Sequence, residues 1–416
     1  MKRISKLTAL IVSSMMVLSL AGCGSKNDAT KATSGTDSSK TTDSKETVKV
    51  GVLTSKSGVM ETWGTDEIEG IELGIEYATK GTNEVNGKKI ELIIEDDTSN
   101  SGVAVQKAVK LIEQDKVNVL TGGVISGNAL AVMEKAAAAK VPYLIESAAA
   151  DAITGKNFNE YTFRVGRSFR QVTMAGGAYL NKIGKTFYVL APDNVAGKDF
   201  VNAWKTDIEL GGGKVIGEAY APVDSTDFTS YLTKIKDAKP DVLVLVIVGD
   251  SFTSKLPQQI QELGVNKEIK LAADLADIPF LKAVGKAGEG MMGPIIYYNS
   301  IFDNAENKWF VEKYRAKYNE DPDLFASAGF TGGIALVEGL KKSTSLKGED
   351  LVKAFEGLKF KSVKGEYYIR PEDHQAMQPI PVVELRKKDK DYVEPQLLEL
   401  VPMEKLEPPI AAPGRK

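Results

Sequence analysis

Side chains able to do covalent or metal chemistry are scarce in this 416-residue sequence, which holds one cysteine, Cys23, and one histidine, His374. A single thiol rules out an internal disulfide framework and a cysteine-based metal cluster. A lone imidazole leaves no histidine metal site, and His374 lies in a charged, polar stretch with no nucleophile beside it. Gly288-Glu289-Gly290-Met291-Met292-Gly293 has the glycine spacing of a dinucleotide fingerprint, which needs a strand before it and a helix after it. Here helical sequence precedes, and the apolar run Pro294 to Tyr298 follows. Gly184-Lys185-Thr186 has the ending of a phosphate loop, but Tyr179 stands where that loop begins with glycine, and a strand pattern follows. No Gly-x-Ser-x-Gly elbow occurs. Asp and Glu are abundant and could do acid–base work in pairs, but the pattern suits binding better than catalysis. The expectation is a binding protein, not an enzyme, with no cofactor and no metal.

The 53 basic and 56 acidic residues leave a net charge of −3. Phosphate binding needs clustered Lys and Arg, so nucleic acid is not an expected partner. Hydrophobic residues at 43% and charged residues at 26% describe a globular chain. Its length suits two lobes of ~150–200 residues rather than one core.

Lys2, Arg3 and Lys6 precede a mostly apolar stretch from Leu7 to Leu20. That stretch is shorter than the ~20 residues of a membrane span and fits the core of a signal peptide. It ends in Leu20-Ala21-Gly22-Cys23, which resembles the lipobox of bacterial lipoproteins. The resemblance implies removal of residues 1–22 and diacylation of Cys23; the alternative is a plain secretory signal with an incidental cysteine. Residues 24–47 are rich in Ser, Thr, Lys, Asp and Gly, with Ala29 and Ala32 as the apolar exceptions. Such a segment buries too little to offset its ordering entropy, so 23–47 reads as a lipid-anchored tether. The folded body is then extracytoplasmic and meets the membrane only through its anchor.

From Val48 the pattern becomes strands alternating with helices. Strand runs at Val48–Leu53, Ile90–Glu95, Val117–Thr121 and Val141–Ile145 alternate with helical stretches near Ile68–Thr79, Val103–Gln114 and Ala129–Lys140. The alternation restarts after Arg167, with strands at Phe187–Leu190, Val242–Val248 and Ile269–Ala272. This predicts an α/β fold with two parallel sheets covered on both faces. From Glu394 the chain is proline-rich and reads as irregular.

The order of motifs resembles the leucine/isoleucine/valine-binding protein family of solute receptors. It starts with Val50-Gly51-Val52-Leu53-Thr54, Ser57-Gly58, Trp63-Gly64 and Glu69-Gly70-Ile71-Glu72-Leu73-Gly74. Glu95-Asp96-Asp97, Gly122 through Gly127, Phe163-Arg164-Val165, Asp227-Phe228-Thr229, Lys239-Pro240-Asp241 and Asp373-His374-Gln375 continue it. The likeness covers about residues 48 to 390. It implies two doubly wound lobes joined by a three-crossover hinge, the type I periplasmic binding protein fold. The implied lobes are 48–168 with 292–370 and 169–291 with 371–405, leaving 406–416 as a tail. It also implies a monomer that captures a small solute by hinge closure and delivers it to ABC permease and ATPase subunits. A ligand-sensing receptor of the same fold is the rival of another class.

The resemblance assigns ligand roles to loops after strands. Ser126, at the start of a helix, would seat a carboxylate or serve as an ordinary N-cap, and the two roles can coexist. Ser147, Ala148 and Ala149 would complete that seat, although Ala149 replaces a common threonine. Glu146 would point to solvent or select a positively charged ligand. Trp63 would cover the ligand from the first lobe. Asp274 would pair with an α-amino group, with Asp277 or a plain surface carboxylate as the alternatives. Ala196 and Val248-Gly249 stand where bulkier tyrosines are expected, which widens the second-lobe wall. Arg167 would bind an acidic group or make a structural salt bridge. The expected ligand is an amino acid, and the alternative is an aromatic carboxylic acid.

Overall fold

The computed structural model describes residues 46–247, 251–389 and 392–415, with only the backbone at positions 195 and 196. The first sheet holds β1 (Thr47–Thr54), β2 (Glu84–Val85), β3 (Lys88–Asp96), β4 (Val119–Thr121), β5 (Tyr143–Ile145) and β6 (Thr162–Arg164), in the order β2-β3-β1-β4-β5-β6. Every pairing from β3 to β6 is parallel. Strand β1 shows why a parallel sheet forms. Val48, Val50 and Val52 are fully buried in one core, and Leu53 is buried in the core of the opposite face. Alternate side chains thus serve two apolar faces, and helices must cover both. Helices α1 (Glu61–Ala78), α2 (Ser101–Val109) and α3 (Ser126–Ala138) run between these strands.

The second lobe repeats the plan. Its parallel strands are β7 (Thr186–Pro192), β8 (Lys214–Ala221), β9 (Val242–Leu245), β10 (Lys270–Ala273) and β11 (Met292–Pro294). Around them run α4 (Phe169–Ile183), α5 (Val195–Leu210), α6 (Thr229–Ala238), α7 (Leu256–Glu262), α8 (Val265–Glu268) and α9 (Ile278–Val284). The chain then returns to the first lobe through α10 (Ala305–Tyr318), α11 (Leu324–Lys342) and α12 (Gly348–Phe355). A small antiparallel sheet follows, made of β12 (Lys359–Ser362), β13 (Gly365–Ile369) and β14 (Ala376–Met377). Finally β15 (Ile380–Lys387) and β16 (Val393–Val401) complete the second sheet in the order β16-β15-β11-β10-β9-β7-β8.

The chain therefore passes between the sheets three times: after β6, after β11, and between β14 and β15. Two expected boundaries move. The return at residue 292 falls after Pro294, because Met292–Pro294 pairs with β10 and β15 inside the second sheet. The last crossing falls after Met377 rather than at 371, because β14 still pairs with β13. The segment from Glu394, expected to be irregular, is an edge strand paired antiparallel with β15. Proline is tolerated there because an edge strand has an unpaired side. Beyond it Leu406 is fully buried against the second lobe, so the tail begins later than expected.

Helices α1 and α11 touch backbone to backbone. A Cβ on Gly70 would lie 2.0 Å from the Ala326 carbonyl oxygen, and one on Gly329 would lie 2.1 Å from that of Glu67. Gly74 and Gly333 repeat the contact one turn along, at 2.2 Å from the Phe330 oxygen and 2.5 Å from the Ile71 oxygen. Spacing of four residues puts both glycines of each helix on one face. Gly70→Ala should therefore cost about 1–3 kcal/mol of stability through overpacking. Thr65→Ala, exposed on the same helix, should stay within about 0.5 kcal/mol. Urea unfolding of both variants measures this, and equal midpoints would remove the close contact as a constraint.

Candidate functional site

In open α/β sheets the crevice lies at the carboxyl ends of the strands, where neighbouring connections leave in opposite directions. The first sheet has this switch between β1 and β4, and the second has it between β7 and β9. The residues singled out in the sequence lie at these ends. Trp63 sits in the first turn of α1 after β1, Ser126 starts α3 after β4, and Ser147 to Ala149 follow β5. Ala196 is in the first turn of α5 after β7, and Asp274 follows β10. Val248 and Gly249, after β9, lie outside the described residues, as do Cys23 and the side chain of Ala196.

The two first-lobe loops are bonded together. Gly122 and Gly123 adopt φ values of +105° and +104°, open to glycine and strained for other residues. The Ala148 N–H donates to the Gly123 carbonyl at 2.9 Å, so that amide is already engaged. Ser126 is the first residue of α3, with Ile125 at the cap, so the N-cap reading does not hold. Its hydroxyl instead accepts from the Ala150 N–H at 3.3 Å.

Trp63 reaches the second lobe. Its indole N–H donates to Asp277 Oδ2 at 3.1 Å, and its ring lies 5.4 Å from that of Phe325 at the start of α11. Asp277 is also the N-cap of α9, accepting from the Phe280 N–H at 2.9 Å. The alternative acid for the amine is thus committed to a helix and to Trp63. Asp274 remains, half-buried after β10. Burial pushes its carboxyl up to about 6, with Arg167 opposing and Asp277 adding to the rise. Arg167 donates to the Ser147 carbonyl and directs its charge at Asp274 and Glu67.

Beneath the loops lie two acids that no water reaches. Glu146, expected to face solvent or ligand, is fully buried and accepts from the Thr121 hydroxyl and, at 2.6 Å, from the Gly122 N–H. It turns inward because Gly332 of α11 leaves room: a Cβ there would lie 2.5 Å from its Oε1. Burial, and then Glu67, raise its pKa. Glu67 on α1 is also fully buried, facing the hydroxyls of Ser147 and Thr54 and the Gly123 N–H, and burial raises it to about 7. His374 is structural. It stacks on Phe163 at 4.0 Å and 5°, with its ring nitrogens 3.0 Å from the Thr162 carbonyl and 3.1 Å from Glu356. Gly288 to Gly293 connects a 3₁₀ turn to β11, not a strand to a helix.

Two cavities border residues next to the strand-end loops. One, of 590 Å³, includes Thr62, Asp66, Lys282, Asp323 and Tyr392 in its wall. The other, of 480 Å³, includes Ala150, Phe169, Phe200 and Ala203.

Residues 47–390 match the periplasmic binding protein family. The chain belongs to that family. Among its relatives is a Leu/Ile/Val-binding protein homolog of Brucella suis, 27% identical over 354 residues that cover 83% of this chain and 89% of the relative. A solved ABC-type branched-chain amino acid transporter protein of Rhodopseudomonas palustris is 30% identical, with a TM-score of 0.82, covering 88% of this chain and 99% of that one. A solute-binding protein of an ABC transporter from the same species, solved with 3,4-dihydroxybenzoic acid, is 29% identical with a TM-score of 0.73, over 86% of this chain and 98% of that one. The two lobes are those of a type I periplasmic binding protein.

Three members of this binding protein's cleft escaped the sequence reading in their observed roles. Phe325 is 262 positions from Trp63, and no local pattern pairs them. Glu67 hides in a helix that reads as amphipathic. Asp277 carried a usable signal, an acid two residues before Pro279, which marks a helix start rather than a ligand.

Glu67 provides a pH test. Its folded pKa of about 7 exceeds the ordinary glutamate value, so the folded state holds the proton more tightly. That contribution is fully present below about pH 4.5 and is lost as pH rises through about 7. Between pH 5 and pH 8, Glu67→Gln should gain stability relative to the parent by on the order of 1–3 kcal/mol. Urea unfolding at both values measures the gap; parallel pH curves for the two proteins would refute the burial of an ionising Glu67.

Proposed function

We propose that this chain is the extracytoplasmic solute-binding component of an ABC importer, capturing an amino acid in the cleft between its lobes. The observation that carries this reading is the Trp63–Asp277 hydrogen bond, which joins the two carboxyl-end crevices across the cleft. Side chains from both lobes converge on one space, and a solute held there gains most contacts when the hinge closes. Relatives named as a Leu/Ile/Val-binding protein homolog and as an ABC-type branched-chain amino acid transporter support the same assignment.

In this reading the carboxylate lies at Ser126 and the Ala149 backbone, the amine at Asp274, and the side chain against Trp63. Permease and ATPase subunits receive the loaded protein, which works as a monomer and needs no metal or cofactor. Diacylated Cys23 holds it at the outer face of the cell membrane. Among the described residues no helix is long and apolar enough to cross a membrane. Cys23→Ser should move the protein from the membrane fraction to the soluble one, and an unchanged distribution would end the anchoring proposal.

An aromatic carboxylic acid is the second reading, favoured by the Arg167 charge that already faces Asp274. The relative solved with dihydroxybenzoic acid supports it. Asp274→Asn separates the two. For an amino acid, removing the charge opposite a buried ammonium should cost ~2–5 kcal/mol, roughly thirtyfold or more in affinity. For a plain acid the change should be neutral or favourable. Asp274 loses its charge as pH falls through about 6, so amino acid affinity should drop across that range and the Asn variant should be flat. Calorimetric titration with the solute identified by mass spectrometry of the co-purified material decides between them.

A further inference from the structure

All three crossovers border one small internal cavity behind the cleft. Arg167 comes from the first crossing, Ile296 from the second and Gln378 from the third, while Lys364 and Glu146 close it from the first lobe. Its volume is 20 Å³, room for one water molecule or one monatomic ion.

The polar groups around it are unbalanced. Lys364, in the turn between β12 and β13, is 6% exposed. Its ammonium carries three donors, of which one is given to the side-chain Oε1 of Gln378. The ring of Tyr367 lies 5.8 Å from it. Among the described residues the charge acting on it is a second cation, Arg167, whose own charge faces Asp274 and Glu67. Gln378 is 1% exposed, and its Nε2 has no partner among the described residues. Glu146 is the acid on the wall, but its carboxyl is turned to Thr121 and Gly122, and burial raises its pKa. Burial, then Arg167, push Lys364 down to about 7. A buried cation without a counter-charge is costly, and a buried amide N–H without an acceptor adds to the cost.

We propose that this hinge cavity binds one halide-sized monovalent anion, held by Lys364, Arg167 and the Gln378 amide. Such an ion supplies the missing negative charge and the missing acceptor together. A solute carboxylate is too large for the cavity, so the ion and the solute occupy different spaces, with Arg167 bordering both. Because all three crossings line it, the ion ties them to one point and keeps Lys364 charged above pH 7.

The test uses the full-length protein. Crystals grown in sodium bromide should show an anomalous peak between Lys364, Arg167 and Gln378. Thermal unfolding in sodium chloride against sodium gluconate, at equal ionic strength, should show a higher midpoint in chloride. Lys364→Met should weaken halide binding by about tenfold or more. Should that variant fail to fold, Gln378→Glu carries the test: it puts a carboxylate beside the ammonium and should abolish the chloride dependence. No anomalous signal in the cavity at saturating bromide, or chloride dependence that survives in Gln378→Glu, overturns the proposal.

Discussion

The backbone contact between α1 and α11 sets the geometry of the first lobe's mouth. Two glycines from each helix let the backbones touch, where any larger residue would hold them apart. Trp63 stands two turns before Gly70, and Phe325 stands one turn before Gly329. Bringing the helices into contact therefore sets the ring separation of 5.4 Å and the angle from which the indole reaches Asp277. The same contact leaves room at Gly332 for Glu146 and seals Glu67 from water. The aromatic contact at the rim and the buried charge at the floor share one packing constraint.

The floor is expensive. Two carboxyl groups, a guanidinium and an ammonium gather behind the strand ends, and burial raises the acids and lowers the bases. An apolar core of equal volume would give more stability. What the polar floor supplies is a set of fixed directions: Arg167 holds the Ser147 carbonyl, and Glu146 holds the Gly122 amide. Those bonds set the two loops that the Ala148 and Ala150 amides then tie together. Fixed hydrogen bonds of this kind favour one loop arrangement over its neighbours.

The α/β fold was legible because strand β1 alternates its burial between two cores, so Val48, Val50 and Val52 announce a sheet covered on both faces. The strand-end loops were legible too, since glycines at 122 and 123 and the start of a helix at Ser126 are local signals. Three things were not. Glu146 was placed outside because no local pattern reveals a cavity opened by Gly332, 186 positions away. The chain from Glu394 looked irregular because proline argues against a strand, and only the edge position of β16 removes that objection. The partnership of Trp63 with Asp277 joins residues 214 apart in different lobes, which composition and periodicity do not encode.

The hinge shows why such long-range pairs matter for function. Arg164, at the end of β6, donates to the Gln375 side chain, and Gln375 Nε2 in turn donates to the Gly166 carbonyl at 2.9 Å. Gln171 of α4 donates to the Ala376 carbonyl at 3.1 Å, which binds the base of the second lobe to the same strand. The first and third crossings are thus joined through the Gln375 and Gln171 side-chain amides. Asp274 and Asp277 sit at the cleft, where they face Arg167 and Trp63. Rotation about an amide-bonded axis leaves the axis intact and changes only the contacts across the cleft. In that division of labour the hinge holds the lobes in register, and the free energy of closure comes from whatever the cleft encloses.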